Sequence, residues 1–336
     1  MKILVTGSAG FIGNETCLQL LELGHEVIGI DNLSTYYEVR LKEDRLLRIK
    51  SKSNFLDVRM NLEDQRNIEG VFRENRPEVV INLAAQAGVR YSLENPHTYI
   101  ETNVMGFLNV LEGCRASGCD HLIYSSSSSV YGKNTQLPFS ADDSVNHPIN
   151  LYAATKRSNE LMAHVYSHLY GLPCTGLRFF TVYGPWGRPD MAYFLFTKSI
   201  LEGKPIELFN RGKNSRSFTY ISDIVASIIR LIDRVPVKAK TNDEIQDTPS
   251  VSDSAPFKIH NIGSETEVSV LRLVELLEGE LDVKAKKNML PMQPGDIQTT
   301  SADVQSLIES IDFAPKTSVE EGVSKFVSWY RDYYRI

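Results

Sequence analysis

The 336-residue sequence predicts an α/β fold in which a doubly wound parallel sheet is followed by a smaller C-terminal α/β domain. Three observations predict it. A short apolar strand at the N-terminus leads directly into a glycine-rich turn and a helix. Strand and helix patterns then alternate six times up to residue 180, and after Tyr183 the elements become shorter. We expect domains at residues 1–180 and 181–336, with parts of 218–235 and 257–263 returning to the first domain.

The N-terminal stretch has the features of a dinucleotide-binding unit. Residues 3–5 are apolar, as in a strand buried on both faces. Gly7, Gly10 and Gly13 follow, and they suit a tight turn, close approach of the backbone to a pyrophosphate, and close packing of a helix. A second apolar strand ends at Asp31, at about the spacing of 20 residues that such sites require. The pattern predicts a Rossmann-type sheet with a dinucleotide at this turn.

Asp31 indicates which dinucleotide is bound. Its carboxylate would accept hydrogen bonds from the adenosine ribose hydroxyls and would repel a 2′-phosphate, which favours NAD over NADP. The polar and aromatic loop at residues 32–37 is placed to cover the adenosine. Ala84 and Ala85 end the fourth predicted strand, and their small side chains would let the backbone lie against the nicotinamide side of the cofactor.

The overall composition argues against several classes of protein. The net charge is −6 and no block of Lys and Arg stands out, so we expect no nucleic acid partner. No apolar run approaches the ~20 residues that span a bilayer, and the chain enters a strand without a signal peptide. The four cysteines lack metal-ligand spacing and suit a reducing cytoplasm. Residues 235–256 are polar and lack periodicity, which predicts a surface excursion.

Tyr152 and Lys156 form the candidate catalytic pair. They lie four residues apart on a predicted helix and therefore share one face. That helix follows the fifth strand, which ends in the serines at 125–129, and open α/β sheets bind ligands beyond such strand ends. A free tyrosine has a pKa near 10, and a nearby cation lowers the pKa of an acid by roughly 1–3 units. We expect Tyr152 to act as the base, assisted by Lys156 and the nicotinamide ring, with a serine as proton relay.

These motifs together resemble the extended short-chain dehydrogenase/reductase family over essentially the whole chain. The matching strings are Gly7-x-x-Gly10-x-x-Gly13, Asp31-Asn-Leu, Ser127-Ser-Ser-Val-Tyr131-Gly, Tyr152-x-x-x-Lys156 and Arg178-Phe-Phe-Thr-Val-Tyr183-Gly-Pro. Longer strings at residues 150–156, 172–191 and 294–296 resemble one branch of it, the UDP-glucuronate 4-epimerases.

The resemblance implies roles for individual residues. The catalytic residues would be Tyr152, Lys156 and Ser127, with Ser128 and Ser129 in the same pocket. NAD would contact Gly7, Gly10, Phe11, Ile12, Gly13, Asp31, Asn32, Ser34, Asn61, Leu62, Leu83, Ala84, Ala85, Asn103, Tyr152, Lys156 and Phe180. The UDP-sugar would contact Ser127, Thr181, Arg188, Arg216 and Asp296. Two positions differ from the family pattern, and each affects one expected contact. Asn61 stands where the family usually has Asp, and Gln293 stands where many relatives have Arg.

The implied reaction is 4-epimerisation of UDP-glucuronate to UDP-galacturonate through a 4-keto intermediate, with NAD tightly bound and recycled, as a step toward surface polysaccharide. A 4-keto uronic acid is a β-keto acid that readily loses CO₂. We therefore expect Arg188, Thr181 and a serine of the 127–129 run to fix its carboxylate. The alternative interpretation of Arg188 is an ordinary loop residue paired with Asp190.

Other functions fit parts of the pattern. A UDP-glucose or UDP-N-acetylglucosamine 4-epimerase is the nearest alternative, and a UDP-xylose-forming decarboxylase would share the substrate. A 4,6-dehydratase would need an acid pair where Ser128 and Ser129 stand. A non-catalytic NAD-binding scaffold would usually lack Tyr152 or Lys156. The resemblance also implies a homodimer formed by helices near 96–114 and 149–170 as a four-helix bundle, although the sequence allows both helices simply to cover the sheet.

Overall fold

The computed structural model describes residues 1–238, 247–292 and 299–336. Its strands, in chain order, are β1 (Lys2–Thr6), β2 (Glu26–Asp31), β3 (Phe55–Arg59), β4 (Val79–Asn82), β5 (His121–Ser127), β6 (Cys174–Phe179), β7 (Thr181–Tyr183), β8 (Pro205–Leu208), β9 (Ser215–Tyr220), β10 (Val251–Ser252), β11 (Phe257–Ile262), β12 (Glu267–Ser269), β13 (Lys286–Met289) and β14 (Thr299–Thr300).

The α-helices, in chain order, are α1 (Phe11–Glu22), α2 (Val39–Leu47), α3 (Gln65–Asn75), α4 (Tyr91–Glu94), α5 (Pro96–Tyr99), α6 (Gly106–Ser117), α7 (Leu151–Tyr170), α8 (Ala192–Leu201), α9 (Ile221–Leu231), α10 (Val270–Leu281), α11 (Gln305–Ile311) and α12 (Val319–Tyr334). A π-helical segment, Ile100–Met105, joins α5 to α6, so the long helix expected near 96–114 contains one widened turn. None of the helices within the described part of the chain has the length and hydropathy needed to cross a bilayer.

The central sheet has eight strands in the order β10-β11-β6-β5-β4-β1-β2-β3. All neighbouring strands run parallel except β10, which is antiparallel to β11. The order reverses at β1, as in a doubly wound sheet. The predicted α/β class with a parallel Rossmann-type sheet is therefore confirmed. β11 comes from the later part of the chain and pairs with β6.

Each face of the sheet is covered by helices because the inner strands alternate between two apolar cores. Ile3 and Val5 point into one core, which includes side chains of α1 and α9, while Leu4 points into the other, which includes side chains of α3 and α6. All three are fully buried. Burial on both faces explains why β1 reads as a continuous apolar run.

A second, smaller layer follows β6. Its sheet has the order β12-β9-β14, with β7 also paired to β9, and β8 pairs with β13. Only Phe180 separates β6 in the central sheet from β7 in this second sheet. Helices α8, α10 and α12 pack together with these strands and share one apolar core with α1.

The prediction of a surface excursion at residues 235–256 is wrong for the last part of this range. Val251–Ser252 forms β10 at the edge of the central sheet, and the Ser250 hydroxyl donates to Asp142 at 2.7 Å. This strand left no signal in the sequence because it has only two residues, with polar residues on both sides of them. Residues 239–246 of the excursion lie outside the described residues.

Candidate active site

A cavity of about 1820 Å³ lies at the carboxyl ends of the central strands, between them and the second layer. This exceeds the roughly 300–1000 Å³ typical of a pocket for one drug-sized ligand, so there is room for a dinucleotide and a second large molecule. The predicted site residues that line it are Gly7, Gly10, Phe11, Ile12, Gly13, Asp31, Asn32, Ser34, Asn61, Leu62, Leu83, Ala84, Ala85, Ser127, Ser128, Ser129, Tyr152, Lys156, Phe180, Thr181, Arg188 and Arg216.

The glycine turn at the start of α1 fits a pyrophosphate. Gly7 has φ +76°, and a Cβ there would lie 2.9 Å from the Ala84 nitrogen. A Cβ on Gly13 would lie 2.0 Å from the Gly7 oxygen. The helix begins after Gly10 without a side-chain cap, so its first amides and the positive end of its dipole face the cavity. This donor set suits the pyrophosphate of NAD.

Asp31 connects the turn to the loop that follows β2. Its carboxylate accepts hydrogen bonds from the backbone nitrogens of Ala9 at 3.0 Å and Leu33 at 2.8 Å. Asn32 donates from its amide to the Asn61 side-chain oxygen at 3.0 Å. The three side chains expected at the adenosine thus stand together at the ends of β2 and β3.

Asn103 lies behind the cavity wall rather than on it. Its amide accepts from the Gln86 nitrogen at 2.8 Å, and it donates to the Gln86 oxygen at 3.0 Å and to the Thr155 hydroxyl at 3.1 Å. It therefore fixes the chain leaving β4 against α7. The contact with NAD that the resemblance implies for Asn103 stays a prediction.

Tyr152 and Lys156 share one side of α7 near its start, where Lys156 is buried and Tyr152 is half-buried at the cavity wall. Asn150 caps this helix by accepting from the Ala153 nitrogen at 2.8 Å, which sets where the helix begins. The Lys156 ammonium donates to the Ser125 backbone oxygen at 2.9 Å and to the Ser125 hydroxyl at 3.0 Å. The serine run therefore contacts the tyrosine–lysine pair, as the sequence predicted.

Burial opposes ionisation of both groups. It raises the pKa of Tyr152, and a hydrogen bond with Ser127 and the charge of Arg188 act in the opposite direction. It lowers the pKa of Lys156 to about 7. The charge of Arg188 thus favours the phenolate of Tyr152, and the assisting role expected for Lys156 stays a prediction. A second cation bound beside Tyr152, such as an oxidised nicotinamide ring, would act in the same direction.

Arg188 lies in the loop after β7 and is paired with Asp190. The guanidinium Nε is 3.0 Å from Asp190 Oδ1, and Tyr36 donates to Asp190 Oδ2 at 3.1 Å. The pair expected from the alternative interpretation therefore exists. It does not remove Arg188 from the cavity wall, and Thr181, the first residue of β7, lines the same cavity.

The remaining predicted substrate residues lie on the second layer. Arg216 is on β9, opposite Val268 and Thr300, and it lines the cavity. Asp296 and Gln293 lie outside the described residues.

Two further residues hold predicted site residues and were not predicted from the sequence. Ser125 holds Lys156, and Tyr36 holds Asp190, the partner of Arg188 that the alternative interpretation had named. Ser125 could have been found, since it belongs to the serine run at the end of β5. Tyr36 and Asp190 are 154 residues apart, and no local pattern links them.

Comparisons with known proteins agree with this geometry. A sequence model of the NAD dependent epimerase/dehydratase family matches residues 3–243. The probable UDP-glucuronate 4-epimerase of Rhizobium meliloti is 46% identical over 335 residues, covering 100% of this chain and 98% of that protein.

Two solved structures are similar over nearly all of the chain. The crystal structure of UDP-glucuronic acid 4-epimerase from Bacillus cereus, in complex with UDP-glucuronic acid and NAD, has a TM-score of 0.88 at 32% identity, covering 99% of this chain and 100% of that one. UDP-glucose 4-epimerase from Thermotoga maritima, with UDP-glucose, has a TM-score of 0.85 at 31% identity, with the same coverage.

Proposed function

Because this chain belongs to the NAD dependent epimerase/dehydratase family, we propose that it interconverts UDP-glucuronate and UDP-galacturonate at carbon four of the sugar. The family and the NAD cofactor expected from the sequence are confirmed, and so is the nucleotide-sugar epimerase class. The identity of the sugar, the keto intermediate and a use in surface polysaccharide are our proposals.

The observation that carries the choice of sugar is the position of Arg188. It lines the same cavity as Tyr152, and its charge acts on the tyrosine hydroxyl. A guanidinium beside the reacting centre suits a carboxylate on the neighbouring carbon, because charge-assisted hydrogen bonds are about twice as strong as neutral ones. A neutral hexose has no charged group that could pair with this arginine.

The residues of this chain divide the proton chemistry among them. Tyr152 takes the proton of the carbon-four hydroxyl and returns it after the sugar has turned over. Ser127 shares the hydrogen bond of the tyrosine hydroxyl and relays that proton. Lys156, held by Ser125, adds positive charge to this part of the site in its protonated form, since burial lowers its pKa to about 7. When bound, NAD supplies the oxidant for the alcohol and the reductant for the resulting ketone.

The acid sugar creates a hazard that the site must control. Once carbon four is a ketone, the bond to the carboxylate can break, CO₂ leaves, and the electron pair passes to the enolate. We propose that Arg188 and Thr181, with a serine of the 127–129 run, hold the carboxylate where this bond is poorly aligned with the ketone. Arg188 and Thr181 line the cavity near Phe180, at the junction of the two sheets.

The experiment that tests the proposal is incubation of the protein separately with UDP-glucuronate, UDP-glucose and UDP-N-acetylglucosamine, with the products read by NMR. We expect UDP-galacturonate only from the first. Conversion of a neutral sugar with a higher kcat/KM than that for UDP-glucuronate would support the second candidate function. That function is a neutral-sugar 4-epimerase, like the Thermotoga maritima neighbour. Absence of conversion of all three, with NAD still bound, would support a non-catalytic scaffold.

We also propose a homodimer formed through α6 and α7. Leu161, Val165 and Leu169 recur every four residues on one side of α7 and are 53%, 48% and 63% exposed. An exposed apolar stripe of this kind suits contact with a second copy of the chain. Light scattering should give twice the chain mass for the wild type, and Val165→Asp should give a monomer. A wild-type monomer would overturn this proposal.

A further inference from the structure

Arg45 on α2 is a buried cation whose partners are all neutral oxygens. Its side chain is fully buried, and all five of its N–H groups donate. Nε and Nη2 lie 3.0 and 2.6 Å from the Trp186 backbone oxygen, and Nη2 lies 3.0 Å from that of Gly187. Nη1 lies 3.1 Å from the Ala9 oxygen and 2.7 Å from the Tyr37 hydroxyl.

These partners belong to two different parts of the active site. Ala9 is in the glycine turn that precedes α1, and its nitrogen donates to Asp31. Trp186 and Gly187 come immediately before Arg188 in the loop after β7. A single planar guanidinium thus joins the turn that faces the pyrophosphate to the loop that presents the carboxylate-binding arginine.

The loop needs such support because its backbone is strained. Trp186 has φ +62°, a left-handed conformation that is unfavourable for a residue with a side chain. Its ring packs against Trp329 and Tyr333 of α12, with centroids 5.3 and 5.2 Å away. Packing holds the ring, and Arg45 holds the carbonyl. The direction of the next two residues, and hence of Arg188, depends on both.

We propose that Arg45 is a positioning residue for Arg188, setting where the acid group of the substrate is held relative to the cofactor turn. The proposal rests on the proposed function, since it assumes that Arg188 binds the carboxylate of a uronate. Arg45 does not itself line the cavity, so it acts through Arg188. Lysine cannot replace it, because an ammonium has three donors from one point and cannot span four oxygens in a plane.

The test compares Arg45→Lys with Arg40→Lys, a matched change at an 81% exposed position of the same helix. For Arg45→Lys we expect KM for UDP-glucuronate to rise at least about tenfold. We also expect a larger share of turnovers to end in the UDP-linked keto-pentose, with CO₂ released and the hydride from carbon four left on the cofactor as NADH. Affinity for UDP, which has no carboxylate, and the amount of NAD retained should stay at the wild-type level. Arg40→Lys should match the wild type in all four measurements.

A double variant separates positioning from a general structural effect. If Arg45 acts through Arg188, then Arg45→Lys in an Arg188→Ala background should change KM and CO₂ loss no further. Additive losses, loss of NAD or UDP affinity in step with KM, or an unchanged Arg45→Lys enzyme would overturn the inference while leaving the proposed function intact. Wild-type protein that does not convert UDP-glucuronate would overturn both.

If Arg45→Lys does not fold, Tyr37→Phe gives a second test. It removes the one side-chain oxygen bound by Arg45 and leaves the three backbone oxygens in place. We expect a smaller rise of KM and of CO₂ loss in the same direction, with UDP affinity retained. No change in either quantity would then overturn the inference.

Discussion

Asp190 holds the guanidinium of Arg188 through two hydrogen bonds, Nε to Oδ1 at 3.0 Å and Nη2 to Oδ2 at 2.5 Å. The pair is partly buried, and mutual attraction keeps both groups charged: the pKa of Asp190 is lowered and that of Arg188 raised, although burial alone would act the other way. A uronate that binds Arg188 must approach the negative charge of Asp190 as well.

Asp190→Asn should therefore strengthen binding of the acid substrate. The amide keeps the shape and one acceptor oxygen but removes the repelling charge. We expect KM for UDP-glucuronate to fall about three- to tenfold, as a charge contact of about 1 kcal/mol would give. Asp312→Asn, at an exposed helix end, serves as the control. A higher KM would show instead that the charge of Asp190 is needed to orient Arg188.

Tyr152→Phe should abolish turnover while leaving NAD bound. Removing a general base typically costs a factor of about 10²–10⁴ in rate. The ring would still fill its position against Tyr99, whose centroid is 6.2 Å away, so the cavity should keep its shape. Rates would be measured by NMR, and NAD would be measured by absorbance after denaturation.

Tyr170→Phe, at the exposed end of the same helix, is the matched control for that experiment. We expect its rate to equal that of the wild type. Unchanged turnover in Tyr152→Phe would show that Tyr152 is not the base. The serines at 125–129 would then be the next candidates for that role.

The buried ion pair behind the catalytic helix should be costly to break. Arg178 Nε lies 2.9 Å from Glu160 Oε1, and both side chains are fully buried. The Ser126 hydroxyl donates to the same carboxylate at 2.6 Å. Glu160→Gln would leave the guanidinium without its counter-charge, and we expect a loss of about 3–5 kcal/mol in the free energy of unfolding.

Urea denaturation measures this loss, and Glu321→Gln supplies a control. Glu321 forms an exposed pair with Lys325 on α12 at 2.7 Å, and pairs of that kind contribute about 0–1 kcal/mol. Equal losses in the two variants would mean that burial is not what makes the Arg178–Glu160 pair costly to break.

Two buried histidines should make the protein sensitive to acid. Burial lowers the pKa of His121 to about 4 and that of His260 to about 3, against an ordinary value of 6.5. Below pH 6.5 the unfolded chain therefore binds protons that the folded chain does not. The free energy of unfolding should fall as pH falls from 6.5 toward 4, by at most about 1.4 kcal/mol per pH unit for each histidine.

His121→Gln should flatten this dependence. Its ring nitrogens contact the Thr175 hydroxyl at 2.8 Å and the Ile232 oxygen at 3.2 Å, and an amide can make similar contacts without titrating. Urea melts at pH 5 and pH 7 would show a smaller difference than in the wild type. The same difference in both proteins would mean that other groups cause the loss of stability between pH 7 and pH 5.

Local patterns predicted the parts of the site that are built by neighbouring residues. The glycine turn, Asp31 at the end of β2, and Tyr152 with Lys156 on one helix all follow from spacing along the chain. The sequence did not predict the hydrogen bonds between the Asn103 amide and Gln86, because the two residues lie 17 positions apart.

Contacts between distant segments could not be predicted in the same way. Arg45 reads as one charged residue of an ordinary surface helix, and only the folded chain brings Trp186, 141 residues away, to its guanidinium. Likewise, β10 gave no periodic signal because Val251–Ser252 is too short to show one.

The single residue between β6 and β7 restricts how the molecule can move. Hinged enzymes open their clefts by rotating two bodies about a flexible connection away from the chemistry. In this chain the connection at Phe180 is itself part of the cavity wall, and hydrogen-bonded strands continue on both sides of it. The Phe180 nitrogen itself donates to the Ile262 oxygen of β11 at 3.1 Å, so rotation of one sheet against the other would strain a hydrogen-bonded part of the cavity wall. We therefore expect nucleotide sugars to enter and leave by rearrangement of peripheral loops, with the two sheets staying fixed throughout the catalytic cycle.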